Sequence, residues 1–185
     1  ESDNGIEWRR NEQVLIARGN AVAKRGGSRV DADELRALYR DRNGNSEIYR
    51  IIATGNVKLS SATDVATGDQ AVYDIDDAVV VLTGENLQYK TPTETLTAEE
   101  SLEYWEVERM AVARGNAVAV AQDRTLRGDV LTARFVPGKN GENELSRIDG
   151  DGNVTIRTPT DFVVGNQGVY DAKTGIATLV GSVKI

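Results

Sequence analysis

Several residue types that carry chemistry are missing or scarce in this chain. Its 185 residues include no cysteine and no histidine, and only three prolines, two phenylalanines and one methionine. Disulfides, zinc sites and Cys-His or Ser-His catalytic sets are therefore excluded. No apolar run approaches the roughly 18 residues of a membrane-spanning helix. The sequence predicts no catalytic residue, no metal site and no cofactor, and the protein is expected not to be an enzyme.

The overall charge is acidic. Charged residues make up 28% of the chain, the net charge is −7 and the pI is about 4.8. This balance argues against a nucleic-acid partner, because nothing would neutralise phosphates broadly. Hydrophobic residues reach 39%, which is enough for one folded domain across residues 1–185. The sequence begins at Glu1, as an exported protein would after loss of its leader.

What the chain does have is glycine, at nearly regular intervals. Each recurring glycine precedes an apolar-polar alternation, and four of the six stand in a Gly-Asn pair; the positions are Gly19, Gly55, Gly84, Gly115, Gly152 and Gly181. A repeat of this period is typical of stacked supersecondary units. A phosphate-binding loop would need a helix after the glycines, and no helical pattern follows. We interpret them as bulges or corners where long strands bend.

The chain is also an internal duplication. Residues 53–84 align without gaps to residues 150–181 with twelve identities in 32 positions, and residues 17–23 are identical to residues 113–119. We therefore expect one domain whose halves span about 17–84 and 113–181.

Each unit reads as strands joined by tight turns. Val57-Lys58-Leu59 alternates inward and outward side chains, and the acidic stretch Asp74 to Asp77 predicts a hairpin turn rather than a calcium loop. The segment from Thr97 to Val107 has helix-forming residues, but its repeat position favours a strand pair with a tight turn. The composition and the pattern together predict an all-β protein.

The inward-facing apolar positions are the candidate binding residues. They form either an ordinary dry core or the lining for a long apolar ligand. By parity this set is Val57, Leu59, Tyr73, Leu87, Tyr89, Leu102, Tyr104, Leu131, Phe135, Val154, Ile156 and Tyr170.

Both ends of the chain read as repeat strands without a capping element. Uncapped strand edges invite pairing with another chain, so we expect head-to-tail association; a sequence cut within a repeat is the alternative. The predicted edge residues are Val14, Ile16, Val22, Leu179, Val183 and Ile185.

The order of these motifs resembles a known family. Thr54-Gly55-Asn56-Val57, Gly68 to Tyr73 and Val79 to Gly84 resemble the OstA-like family, and within it the LptA-type lipopolysaccharide-transport proteins. The resemblance covers nearly the whole chain. It implies an antiparallel β-jellyroll, V-shaped in section and open at both ends, with the acyl chains of lipid A in an apolar groove.

The resemblance also implies a role, a place and partners. The role is a non-enzymatic carrier or bridge that passes lipopolysaccharide across the periplasm from the inner to the outer membrane. The partners would be LptC at the N-terminal edge, LptD at the C-terminal edge, and further copies of the same chain. The acidic pI departs from the basic character usual in the family, which leaves burial of acyl chains as the main attraction.

Three alternatives stay open. The first is the OstA-like periplasmic domain of LptC or of the outer-membrane translocon LptD, which shares the same domain. A carbohydrate-active β-helix enzyme would repeat every 20 to 25 residues or so, which fits the spacing poorly. A structural repeat protein without a ligand is the third.

Overall fold

The structure is a computed structural model that describes residues 1–138 and 143–184. Within these residues, fourteen antiparallel strands form one sheet, and a single 3-10 turn, Arg10–Glu12, follows the first strand. The all-β antiparallel prediction is confirmed. The strands are β1 Ile6–Arg9, β2 Val14–Arg25, β3 Ser28–Arg42, β4 Asn45–Ser60, β5 Val65–Asp74, β6 Val79–Thr83, β7 Leu87–Lys90, β8 Glu94–Ala98, β9 Ser101–Trp105, β10 Met110–Ala121, β11 Arg124–Pro137, β12 Asn143–Arg157, β13 Phe162–Asp171 and β14 Ile176–Val180.

Every long strand bends at the same level, along a line that we call the spine. In β2, β4, β10 and β12 the bend is a bulge at the Gly-Asn pair, where the register with the next strand along the chain shifts. In Gly55 and Asn56, for example, φ is +77° and +48°, which is left-handed backbone that favours glycine and asparagine. Four of the six predicted glycine corners are thus present as bulges, whereas Gly84 lies between β6 and β7 and Gly181 follows β14.

At the spine the central strands break instead of bulging. β6 and β7 are successive pieces of one bent path around Gly84, and β8 and β9 are successive pieces around residues 99–100. β5 pairs with both β6 and β7, and β10 pairs with both β8 and β9. The segment from Thr97 to Val107 is therefore extended, as predicted, but β8 and β9 do not form a hairpin with each other. The tight turn lies after β9, at residues 106–109.

The spine divides the sheet into two arms. The upper arm holds β1 and residues 14–18, 34–54, 70–83, 101–114, 130–138, 143–151 and 167–180; the lower arm holds residues 21–32, 57–68, 87–98, 117–128, 154–165 and 183–184. Hairpin turns close the outer ends of both arms. The space between the arms, which we call the groove, is bounded by the spine on one side and by these turns on the other.

The core lies inside the groove beside the spine. One buried cluster draws on both arms and consists largely of alanine, leucine and valine. Small residues face large ones: a methyl group added to Gly150 in the upper arm would lie 3.1 Å from Cγ2 of Val154 in the lower arm, and one added to Gly168 would lie 3.0 Å from its Cγ1. The two arms are therefore in van der Waals contact at this level.

The sheet ends at β1 and β14. β1 pairs along β2 from Ile6 opposite Ala17 to Arg9 opposite Val14, so Val14 and Ile16 are interior positions, 7% and 2% exposed. Their prediction as edge residues is wrong, because β1 lies outside the repeat and its pairing leaves no alternating signature. Leu179 lies on the outermost strand, Val183 follows it, and Val22 bonds the backbone of Glu1. Ile185 lies outside the described residues.

Candidate functional site

The spine carries polar residues, and their contacts explain the glycines. Asn56 donates from Nδ2 to Oδ2 of Asp33 at 2.9 Å, and a methyl group on Gly55 would overlap the same carboxylate. The second half repeats this arrangement, because Asn153 donates to both carboxylate oxygens of Asp129. In both places glycine leaves room for an acidic side chain that the neighbouring amide then binds. These contacts hold the corners in shape.

The acidic turn of the first half is also structural. Oδ1 of Asp74 accepts the backbone N–H groups of Asp76 and Asp77, each at 3.2 Å. The turn interpretation is confirmed. Across the described ranges no three acidic side chains come together in a way that would hold a metal ion.

The twelve predicted groove residues divide into two groups by their distance from the spine. Five are almost fully buried where the arms touch; these are Val57, Leu87, Leu102, Leu131 and Val154, none more than 6% exposed. Because these residues fill the space beside the spine, that part of the groove is packed.

The other seven lie farther from the spine and are partly exposed; these are Leu59, Tyr73, Tyr89, Tyr104, Phe135, Ile156 and Tyr170. Leu59 and Tyr89 pack against the buried cluster while part of each side chain remains open. The interior is thus dry at its base and presents half-exposed apolar side chains toward the groove mouth. This is the surface on which a long apolar ligand would lie.

The tyrosines at the mouth combine an apolar ring with a hydroxyl at the water boundary. Burial raises the pKa of Tyr89, and the nearby Asp64 carboxylate adds to the effect. Burial raises the pKa of Tyr104 as well, although Asn143 donates to its hydroxyl at 2.9 Å. Both phenols therefore stay neutral at physiological pH.

Among the described residues, one side-chain hydrogen bond joins the two arms across the mouth. Arg124, at the outer end of the lower arm, donates from Nη1 to the hydroxyl of Tyr170 in the upper arm at 3.3 Å. In the first half Arg25 lies at the corresponding hairpin, opposite Ser28, which is the residue equivalent to Arg124. The charge of Arg25 lowers the pKa of Tyr73, although burial and Glu106 raise this pKa overall. Each half thus brings a lower-arm arginine toward an upper-arm tyrosine.

Sequence reasoning missed several residues of the same surface. Leu96 and Leu126 pack against the buried cluster from the lower arm, and Val80 does so from the upper arm. Their alternation carries the same period as the residues that were predicted, so the signal was available. Ile6 and Trp8 at the open N-terminal end, 65% and 55% exposed, lie opposite Ala17 and Leu15 and had no repeat to mark them.

Comparison with known proteins identifies the family. The family model described as "LptA/(LptD N-terminal domain) LPS transport protein" matches residues 1–104, which is more than half of the chain. The chain belongs to this family. The resemblance to OstA-like proteins drawn from the sequence motifs is thereby confirmed.

The chain was also compared with curated proteins and with solved structures. A search among curated proteins found no match. Among solved structures, the chain is similar to LptH, the LptA homologous periplasmic component of the lipopolysaccharide transport device from Pseudomonas aeruginosa, with 12% identity, 84% of this chain and 82% of that chain covered, and a TM-score of 0.30.

Proposed function

We propose that this protein carries lipopolysaccharide across the periplasm from the inner to the outer membrane, with the acyl chains held in the groove and no catalytic step. Family membership supports lipopolysaccharide transport as the process. The band of half-exposed apolar residues between the arms, from Leu59 and Tyr89 to Ile156, is the observation that supports the groove as the binding site. The mouth opens along the groove, so acyl chains can enter from the side while the saccharide stays in water.

Burial of acyl chains supplies the affinity. Each methylene removed from water contributes about 0.8 kcal/mol, so a few partly buried chains suffice for stable binding. Because the arms touch beside the spine, at Gly150, Gly168 and Val154, the chains occupy the outer part of the groove unless the arms move apart. Opening the arms would first break the hydrogen bond between Arg124 and Tyr170.

The two sheet edges support a head-to-tail bridge with further copies, and with LptC at the N-terminal edge and LptD at the C-terminal edge. β14 runs from the outer end of the upper arm toward the spine, and β1 runs the opposite way, so the next copy's β1 would extend the sheet antiparallel. Leu179 and Ile6 each hold the first inward position above the spine, which sets the register of Leu179 opposite Ile6. This pairing would make the grooves of successive copies continuous.

An LptD-type N-terminal domain is the second candidate. The matching family description names that domain together with LptA. No described residue lies in a helix with the length and hydropathy needed to cross a membrane. The full-length gene sequence discriminates between the two, because it shows whether this domain stands alone or is the N-terminal part of a longer protein.

Photo-crosslinking tests the groove. A photoreactive residue is placed at Leu59, Tyr104 or Ile156, which face the groove, and at Lys58 or Thr155, which are their outward-facing neighbours. We expect lipopolysaccharide to label the first set at its acyl chains and the second set weakly. Equal labelling of both sets would overturn the groove assignment.

A further inference from the structure

The outer face of the lower arm has a composition of its own. Its side chains form two rows that cross the sheet from β2 to the C-terminus, and each row is a continuous series of cross-strand pairs. The row beside the spine carries Lys58, Arg127 and Lys184. The row toward the outer end carries Lys24, Arg29, Lys90 and Arg157. Alternation places both rows on the opposite side of the sheet from the groove.

This face is strongly basic although the protein is acidic. Within the described residues this face has seven basic residues and two acidic ones: Asp31 is paired with Arg29, and Glu1 lies 3.9 Å from Nζ of Lys24. Lys58, Lys90, Arg127 and Lys184 are exposed and make no ion pair within the described residues. The net charge of −7 therefore hides a segregated positive surface.

The outer face of the upper arm differs. It also carries arginines, but carboxylates of the same face bind them: Nε of Arg18 lies 2.6 Å from Glu34, and Nε of Arg114 lies 2.7 Å from Glu103. Arg147 binds Asp149 in the same way. A polyanion would find free positive charge on the lower arm and neutralised charge on the upper arm.

A cleft deepens the basic face at mid-molecule. It has a volume of ≈ 950 Å³ and lies where β6 and β8 end at the spine. Its wall includes the guanidinium of Arg127, the carboxylates of Glu85 and Glu99, and the amides and hydroxyls of Gln88, Thr67, Thr97 and Asn116. Because two carboxylates accompany the guanidinium, the cleft offers hydrogen-bond partners for saccharide hydroxyl groups, and the anionic groups of the ligand would bind the basic residues of the two rows.

The face is continuous with the mouth of the groove. Arg25 and Arg124 stand at the hairpins that end the lower arm, between the groove side and the basic side. A ligand whose apolar part lies in the groove must pass its polar part over one of the two arms. The lower arm offers positive charge at its end and along its outer face.

We propose that the outer face of the lower arm binds the anionic saccharide part of the amphiphile whose acyl chains occupy the groove, so that the ligand folds over the end of the lower arm. This inference rests on the proposed function. A flat membrane fits less well, because a sheet turns by about 20–25° from strand to strand and presents only part of so wide a face to a plane. A flexible oligosaccharide follows the twist.

The test uses deacylated, phosphorylated core oligosaccharide of lipopolysaccharide, which has no chains to enter the groove. The variant is Lys90→Glu with Arg127→Glu, two exposed positions whose cross-strand neighbours are uncharged. The control is Arg42→Glu at the end of β3, where Nη1 lies 3.5 Å from Glu47, with Lys173→Glu at the turn after β13, which changes the net charge equally. Thermal unfolding of both variants checks that the fold is kept.

We expect the basic-face variant to bind the oligosaccharide about tenfold more weakly at low salt and with a smaller salt dependence, and the control to bind like wild type. Cross-linking of acyl chains at Leu59 should persist in both. Equal weakening in both variants, or in neither, would overturn the proposal. The proposal would also be overturned if the basic-face variant lost binding to vesicles rich in anionic lipid but kept its binding of the oligosaccharide. That result would assign the face to a membrane.

The proposed function can fail separately. If wild type binds the oligosaccharide through this face but shows no acyl cross-link at Leu59, the groove is not a lipid site. In that case one ligand cannot occupy both the groove and the outer face of the lower arm, and this face is a site for a free polyanion.

Discussion

Arg124 and Tyr170 hydrogen-bond across the mouth of the groove, Nη1 to Oη at 3.3 Å, although they belong to different arms of the sheet. They lie far from the spine, where the arms otherwise meet. Their bond is therefore a contact that must break if the arms separate to admit a ligand.

Tyr170→Phe removes this bond and keeps the ring. Because the bond is exposed, we expect the free energy of unfolding to fall by less than about 1 kcal/mol. Uptake of a fluorescent long-chain fatty acid should become faster, which stopped-flow fluorescence measures. Tyr49→Phe serves as the control, because Tyr49 lies in the upper-arm part of β4 and Arg124 bonds the hydroxyl of Tyr170 instead. An unchanged uptake rate in Tyr170→Phe would show that the bond does not restrain the mouth.

The spine glycines should be intolerant of substitution for a reason beyond backbone strain. Gly44 and Gly55 have similar φ values of +82° and +77°, but only Gly55 has a carboxylate where its methyl group would stand. We expect Gly44→Ala to cost about 1 kcal/mol of stability and Gly55→Ala a further 1–2 kcal/mol or so. Denaturant unfolding measures both.

A double variant separates the two causes. Asp33→Ala in the Gly55→Ala background should recover the additional loss, since it removes the overlapping carboxylate. Equal destabilisation at Gly44 and Gly55 would contradict the spine account.

Glu103 should make stability depend on acidic pH. Burial alone would raise its pKa, but hydrogen bonds from Arg114, Trp105 and Ser101 outweigh burial and lower the pKa below the usual 4.5. A carboxylate with a lowered pKa in the folded state stabilises the protein above the pKa of the unfolded chain, and this stability is lost as pH falls through the folded-state pKa.

We therefore expect Glu103→Gln to be less stable than wild type at pH 7 and to lose less stability between pH 5 and pH 3, as urea unfolding at each pH would show. Glu108→Gln, at the exposed turn after β9, is the matched control and should follow wild type. Parallel pH profiles for wild type and Glu103→Gln would contradict the assignment.

The head-to-tail register can be tested with cysteine pairs, because the chain has no cysteine of its own. Directly opposed residues on antiparallel strands have Cα atoms about 4.5–5.5 Å apart, within disulfide range. Ile6→Cys combined with Leu179→Cys should give a ladder of linear oligomers on oxidation in non-reducing gels. Ile6→Cys with Thr178→Cys, which faces the other side of the sheet, should give little. Equal ladders from both would argue against this register.

Local sequence patterns predicted the strands and the corners, because both have local causes. Left-handed backbone selects Gly-Asn at Gly55 and Asn56, and alternation marks Val57 and Leu59 as inward-facing. The edge at Val14 was not predictable in this way, since β1 has no counterpart in the repeat. The single-domain duplication, the lipid contacts and the edge pairing of Val22, Leu179, Val183 and Ile185 remain predictions.

The basic face could not be predicted from the sequence, for a different reason. Lys24, Lys90 and Arg157 are far apart along the chain and come together only through cross-strand register. A net charge averages over both arms, whereas binding depends on which face each charge occupies. The acidic pI therefore gave no hint of a positive surface.

Locking the mouth tests the central claim most directly. Arg124→Cys and Tyr170→Cys, joined by a bis-maleimide linker, would tie the two arms together at the groove mouth. We predict that the linked protein fails to take up lipopolysaccharide, while the unlinked double variant takes it up at least as fast as wild type. Undiminished uptake by the fully linked protein would contradict entry of the acyl chains through the mouth between Arg124 and Tyr170.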